Sequence, residues 1–280
     1  MQVFRNSIWV YGAHIWRWSG HHWLHRSAGG HPVAYEAEVM RLLGQIYANR
    51  AGRLLLDAIQ RWQHGKVQIV PYRGEDGARN ASANAWDFRA STPQGETELD
   101  ANGNVWHVHH HPERGTGGGT DVFVRYSPGT WTHGHHAGDH PDEVLFHELT
   151  HTYRHVRGHS LLRGTDSDYP NQEEFWATLN TNIYISAKGA GLPLRGSYNH
   201  VRDVPDRADA YILDLDGTTR LTESQALVVN YRDLIARLFD EERPLTEPMT
   251  GVHATYNPYR DYVRMTGIRA LFAEHADDWR

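Results

Sequence analysis

The sequence predicts an α+β fold, a mixed sheet with an edge strand over one central helix, followed by a helical C-terminal part. Three observations predict it. Short runs of β-branched and apolar residues, Val67 to Tyr72 and Asp121 to Tyr126, have the length and content of strands. Several segments place apolar residues on one face at helical spacing, and one of them, Pro141 to Arg157, carries start and stop signals at both ends. Glycine-rich and asparagine-rich stretches separate these elements, with no internal repeat and no evident linker, so residues 1–280 are expected to form a single domain.

In chain order, the first 30 residues are rich in Trp and His and show no period, so residues 1–33 are taken as a poorly defined segment wrapping the surface. Ala34 to Tyr47 reads as a helix because Val39, Leu42, Leu43 and Ile46 share a face. Gly52 to Trp62 is a second helix, ended by Gly65, and Val67 to Tyr72 a strand. Residues 73–103 are dense in Gly, Asn, Ser and Asp and read as loop, with room for a short hairpin, and Asn102-Gly103 suits a two-residue turn before a strand at Val105 to His109. Gly115 to Thr120 lacks the Lys-Ser/Thr of a phosphate-binding loop. Asp121 to Tyr126 alternates apolar and polar residues and is stopped by Pro128, which predicts a half-buried strand at the sheet edge, able to pair with an extended substrate. Pro141 in its first turn, Asp142 and Glu143 beside it, basic residues near the end and Gly158 after it define the central helix. Further helices are expected at 172–186, 222–241 and 258–275.

Composition narrows the chemistry. Net charge is −6, which argues against nucleic acid or an anionic membrane as main partner. With no cysteine, disulfides and thiol catalysis are excluded. No apolar run approaches the roughly 20 residues of a membrane span, and residues 1–20 do not read as a signal peptide. The 21 histidines are unusual, and many of them fall at 107–111 and 133–159, a bias that points to metal.

The central helix carries His147-Glu148-Leu149-Thr150-His151. Residues four apart share a helix face, so both imidazoles can reach one tetrahedral Zn²⁺ and leave room for a third ligand and a water. Glu148 is turned about 100° from His147, beside the metal without being needed as a ligand, where it can take a proton from the water. His155 lies about 12 Å along the axis from His147, too far to complete the site. Arg154 and Arg157 occupy the positions where an elongated HExxHxxGxxH motif requires Gly and His. For the third ligand the next helix offers Glu174, on one face with the small residues Ala177, Thr178 and Thr181, so that the two helices can approach closely. Glu173, Asp166 and Asp168 stay open as alternatives, and Glu174 could instead close a capping box with Asn171. Tyr184, Arg195, Tyr198 and His200 are possible donors to a developing oxyanion by nearness in sequence alone. The histidines at 107, 109, 110, 111, 133, 135, 136 and 140 read as solvated loop residues before they read as a lid or metal site.

Three segments together resemble the zincin-like NleD-type zinc effector proteases of bacteria and the metalloprotease domains fused to type VI secretion spike (VgrG-type) proteins. They are Gly52-Arg53-Leu54-Leu55 with Val67-Gln68-Ile69, the glycine loop and strand from Gly117 to Pro128, and the HExxH helix continued by Asn171-Gln172-Glu173-Glu174-Phe175. The resemblance implies a zinc endopeptidase with one Zn²⁺ per chain, with His147 and His151 as ligands, Glu148 as base and a downstream Glu as third ligand. It implies a protein or peptide substrate and delivery into a target cell by a secretion system, which agrees with the missing signal peptide, and it leaves room for an immunity protein and a secretion spike as partners. A zinc amidase acting on cell-wall peptide and a non-catalytic zinc-binding domain of a spike are the competing readings; Glu148 argues against the second, since a purely structural site needs no base.

Overall fold

The computed structural model describes residues 1–18, 23–27, 31–62, 65–72, 81–96, 114–131, 136–165, 169–189, 191–196, 203–204, 206, 211–214 and 220–274. In chain order the elements are β1 (Gln2–Phe4), β2 (Ile8–Val10), β3 (His14–Trp18), β4 (Trp23–Ser27), α1 (Pro32–Ala48), α2 (Arg50–Arg61), β5 (Val67–Val70), β6 (Ser82–Ala85), α3 (Phe88–Ser91), β7 (Val122–Arg125), α4 (Pro141–Arg157), α5 (Gln172–Lys188), β8 (Leu194–Arg195), β9 (Asp203–Val204), β10 (Tyr211–Asp214), β11 (Arg220–Thr222), α6 (Glu223–Asn230), α7 (Arg232–Glu241), α8 (Arg243–Thr250) and α9 (Pro258–Glu274). The fold is mixed α+β and zincin-like. Five strands form the main sheet in the order β1-β2-β5-β7-β6; β2, β5 and β7 are parallel, and β1 and β6 run antiparallel to their neighbours at the two edges.

Register explains which face is buried. Ile8, Val67, Val122 and Ala85 stand opposite one another across four strands, and Val10, Ile69, Val124 and Ala83 form the next row on the same face. Side chains alternate with period two along a strand, so both rows point one way, into the core shared with Leu42, Leu43 and Ile46 of α1, Leu55 and Ile59 of α2 and Leu145 and Leu149 of α4.

Three expectations are corrected here. The Asp121 to Tyr126 strand is not an edge: β7 lies between β5 and β6. Its apparent alternation came from Arg125, whose guanidinium lies over the Tyr72 ring and donates to Ser82 rather than entering solvent, while Phe123 is buried beneath Trp86. The edge is β6, in a stretch read as loop. The N-terminal residues do more than wrap the surface, because β2 is inserted in the sheet with Ile8 and Val10 fully buried. The single helix expected at 222–241 is two, α6 and α7, which meet at Tyr231. The turn at Asn102-Gly103 and the strand at 105–109 lie outside the described residues.

Two glycines bring the glycine-rich stretch against the end of α4. Gly158 stops the helix in the left-handed conformation, φ 71°, and a Cβ there would come within 2.4 Å of the Gly117 backbone. A Cβ at Gly119 would lie 2.0 Å from the Val156 carbonyl oxygen. The stretch is therefore a close-packed strap.

Because Ile8 is a core residue of a central strand, Ile8→Ala is expected to destabilise the protein by about 2–5 kcal/mol. Denaturant unfolding followed by far-UV circular dichroism checks this; a loss under about 0.5 kcal/mol, typical of a surface substitution, would return the segment to the surface.

Candidate metal centre

Helices α4 and α5 build the site. The start of α4 meets the end of α5, where Lys188 Nζ lies 2.8 Å from Asp142 Oδ2 and 2.7 Å from Glu143 Oε1, and the Tyr184 hydroxyl donates to Asp142 at 2.8 Å. The end of α4 meets the start of α5, where Arg154 Nε donates to Glu173 Oε1 at 2.8 Å. The helices thus run in opposite senses, joined by charge at both ends, half-buried at Lys188 and fully buried at Arg154.

Between these joints, next to the second, His147, His151 and Glu174 converge. His147 Nε2 is 3.1 Å from Glu174 Oε2, His151 Nε2 is 3.2 Å from His147 Nε2, and His151 Nε2 is 3.5 Å from Glu174 Oε2. Bond lengths of about 2.0–2.1 Å in a tetrahedral array place ligand atoms about 3.3 Å apart. The three edges match that spacing, and among the described residues no other His, Cys, Asp and Glu side chains gather in this way. The donor set, two imidazoles and one carboxylate, is one that zinc accepts with a fourth position left open.

Burial drags His147 below the ordinary histidine value. Burial also works against the charge on His151, but the Glu174 carboxylate outweighs it and holds His151 above the ordinary value. Burial pushes Glu174 up, yet the charge on His151 and hydrogen bonds from both rings keep it well below the usual carboxylate range. The Glu174 carboxylate thus favours positive charge beside the two rings. The other ring nitrogen of His147, Nδ1, is 3.5 Å from the Thr181 hydroxyl, which gives its own hydrogen to the Ala177 carbonyl. That hydroxyl is left to accept from Nδ1–H, an orientation that turns the Nε2 lone pair toward the other two ligands.

Glu148 lines the same cleft, which encloses about 600 Å³. Burial pushes its carboxyl up to about 7, against the opposing pull of His151, in the range that suits a general base. Ala83 lines the cleft with it, so edge strand β6 passes beside Glu148.

Glu173 and Glu174 are separated cleanly. Glu173 turns away from the trio, with Oε1 taken by Arg154 and by the Leu161 N–H at 2.7 Å. The Asn171 side chain accepts from the Glu174 N–H at 2.9 Å, but the Glu174 carboxylate goes to the histidines and leaves the capping box half made. His155 lines the cleft without joining the ligand group, and its burial drives it down to about 3. Of the possible oxyanion donors, Arg195 reaches the cleft while the Tyr184 hydroxyl is committed to Asp142. His136 and His140 are not in the ligand group. Asp166, Asp168, Tyr198, His200, His133, His135 and the histidines at 107–111 lie outside the described residues. Sequence reasoning missed Ala83, Thr181 as partner of His147, and the Arg154–Glu173 pair. The unexpected basic residue one turn after the HExxH motif was the only available signal for that pair.

With this geometry in place, comparison with known proteins decides the family. A family model described as peptidase M91, effector protein, matches residues 28–203, more than half of the chain. The chain belongs to the peptidase M91 effector family. No curated protein and no solved structure matches it. This M91 effector is accordingly a peptidase with protein as its substrate, of a family that points to delivery into a host or target cell, and it has a His-His-Glu group able to hold a metal ion. No helix among its described residues is long and apolar enough to cross a membrane.

Glu174→Ala is expected to abolish tight metal uptake, read by elemental analysis, while leaving the metal-free melting temperature near that of the parent. Arg154→Ala strands Glu173 in the interior and should cost about 3–5 kcal/mol of stability. A Glu174→Ala protein that keeps its full metal content would remove Glu174 from the ligand set.

Proposed function

We propose that this M91 effector is a zinc-dependent endopeptidase, with one Zn²⁺ held by His147, His151 and Glu174 and with Glu148 as the general base. The observation that carries the reading is the set of three ligand-atom separations of 3.1–3.5 Å beside a buried glutamate of raised pKa. When bound, zinc would supply a Lewis acid for the scissile carbonyl and make its water a nucleophile at neutral pH. Glu148 takes the proton of the attacking water on its carboxylate and gives it to the departing nitrogen, since an amine anion is a poor leaving group.

Arg195 is the proposed donor to the developing oxyanion. Its backbone is fixed on both sides by the Asn182 amide, which donates to its carbonyl and accepts from its N–H at 2.9 Å each. Its stem lies against Gly138, where a Cβ would sit 2.3 Å from Arg195 Cδ. Its charge lowers the pKa values of His147 and Glu148, which puts its field in the ligand region. Strand β6, with Ala81, Ser82 and Ala83 along the cleft, is the proposed platform for an extended substrate segment. That role passes to β6 from the strand at 121–126. The whole chain, residues 1–280, is proposed to act as one unit of this peptidase, delivered by a secretion system of the kind that the NleD-type and VgrG-fused proteases use.

Glu148→Gln should keep zinc and fold while slowing casein cleavage by about 10²–10⁴-fold. Zinc content and a thermal melt are measured beside the assay, and a folded, zinc-loaded variant with undiminished cleavage would refute the base assignment. Cleavage of peptidoglycan fragments in place of casein would redirect the reading to a cell-wall amidase. Arg195→Ala is expected to lower kcat by about 10²–10³-fold with zinc retained; a change confined to KM would make Arg195 a substrate-binding residue instead.

A further inference from the structure

We propose that Glu242, at the junction of α7 and α8, is a positioning residue for Glu174, so that the metal affinity of the site is set from C-terminal helices lying beyond the residues matched by the family. This inference rests on the metal reading above. It starts from the first turn of α5, where four consecutive residues are each tied down. Asn171 caps the N–H of Glu174. Gln172 accepts from Arg237 of α7 at 2.7 Å. Glu173 is held by Arg154, and Glu174 faces the two histidines.

Arg154 is in turn held by Glu242. The guanidinium is 1% exposed and Glu242 is 0% exposed. Arg154 Nη1 donates to Glu242 Oε1 at 2.8 Å, and the same carboxylate accepts from Arg157 Nη1 and from His159 Nδ1. Burial pushes Glu242 up, but His159 and the two guanidinium groups hold it below the ordinary carboxylate value. Glu241, partly exposed, is the only other carboxylate near Arg154, at 3.9 Å, among the described residues.

A guanidinium is planar, with its donors in a fixed fork. Held by Glu173 through Nε and by Glu242 through Nη1, Arg154 has one orientation. Without the Glu242 charge, the buried Arg154 guanidinium would keep Glu173 as its one buried carboxylate among the described residues. The Glu173 Oε2 atom is buried without a hydrogen-bond partner, so it is the acceptor toward which Arg154 would swing. That rotation pulls on the first turn of α5 and on the residue next to Glu173. Ligand constellations tolerate displacements of only about 0.5 Å, and Glu174 would leave the spacing that matches a tetrahedral ion.

The test uses the full chain and three readouts: zinc affinity by chelator competition, the visible spectrum of the Co²⁺-loaded protein, and the melting temperature of the metal-free protein. Glu242→Gln keeps the shape and removes the charge. It should weaken zinc binding about 10-fold or more, the lower range for groups that orient metal ligands, and shift the Co²⁺ bands. Lys188→Met breaks the joint at the other end of the helix pair and should lower the melting temperature while both metal readouts stay at the parent values. A folded Glu242→Gln protein with parental zinc affinity and Co²⁺ spectrum would overturn the proposal. If Glu242→Gln does not fold, Arg237→Ala replaces it, since that side chain is 40% exposed and its loss strands no buried charge. A weakening of about threefold supports the proposal, below the range for direct partners of a ligand, and parental affinity overturns it. A parent protein that takes up neither Zn²⁺ nor Co²⁺ would defeat the metal reading itself, a result separate from any difference between variants.

Discussion

The antiparallel contact of α4 and α5 is the constraint on which the rest of the molecule depends. A single helix can present His147 and His151, four residues apart, but a third ligand must come from another element at a spacing correct to fractions of an ångström. Two joints hold the helix pair, a half-buried one of Lys188 with Asp142 and Glu143 at one end and a buried one of Arg154 with Glu173 at the other, and the second, next to Glu174, is the one that bears on the spacing. Buried ion pairs are weak sources of net stability, because desolvation cancels much of the attraction. They are strong determinants of register, because a slip by one residue would leave several charges unpaired in the interior. Between the joints α5 offers Ala177, Thr178 and Thr181, all fully buried, and these small side chains let the backbones come close enough for Glu174 to reach both imidazoles.

The sheet and its loops then place a cleft over that contact. Strands β7 and β6 supply the floor on which α4 rests, and β6, antiparallel to β7, has no strand on its other side among the described residues. An unpaired edge exposes backbone donors and acceptors and invites another strand. Here the edge runs past Glu148, so the feature that is a hazard elsewhere is the proposed place to lay a polypeptide across the proposed base. The strap at 115–119 meets the far end of α4 through Gly117 and Gly119, where a Cβ would have no room at Gly119 against the Val156 carbonyl.

The HExxH helix was legible because each local signal agreed: Pro141 at its start, acidic residues in the first turn, Gly158 in the left-handed conformation at its end and an apolar face between. Glu174 was legible through the small face it shares with Ala177 and Thr181. Strand β6 was not. Ser82-Ala83-Asn84-Ala85 has no β-branched or aromatic residue, and it is a strand because β7 offers it a partner. Residues 121–126 were misplaced because an arginine in a strand reads as solvent-facing, whereas Arg125 buries its stem and finds Tyr72 and Ser82. Glu242 had no local signal at all: it lies 88 residues from the arginine it holds, and only the tertiary fold brings the two together.

Glu173 and Glu174 show how neighbouring carboxylates of the same chemistry acquire different work. About 100° of helix rotation separates them, enough to point one at a fixed guanidinium and the other at two imidazoles. Burial opposes ionisation of both. Around Glu173 the compensating charge is permanent, since a guanidinium does not deprotonate in a protein, and its carboxylate serves to hold backbone in place. Around Glu174 the compensating charge is movable, a proton on an imidazole or a metal ion, and its carboxylate can exchange one for the other. A site that must be stiff in its frame and open to a cation at its centre needs both kinds of partner. Exchanging the two roles would put the fixed charge where the metal has to enter.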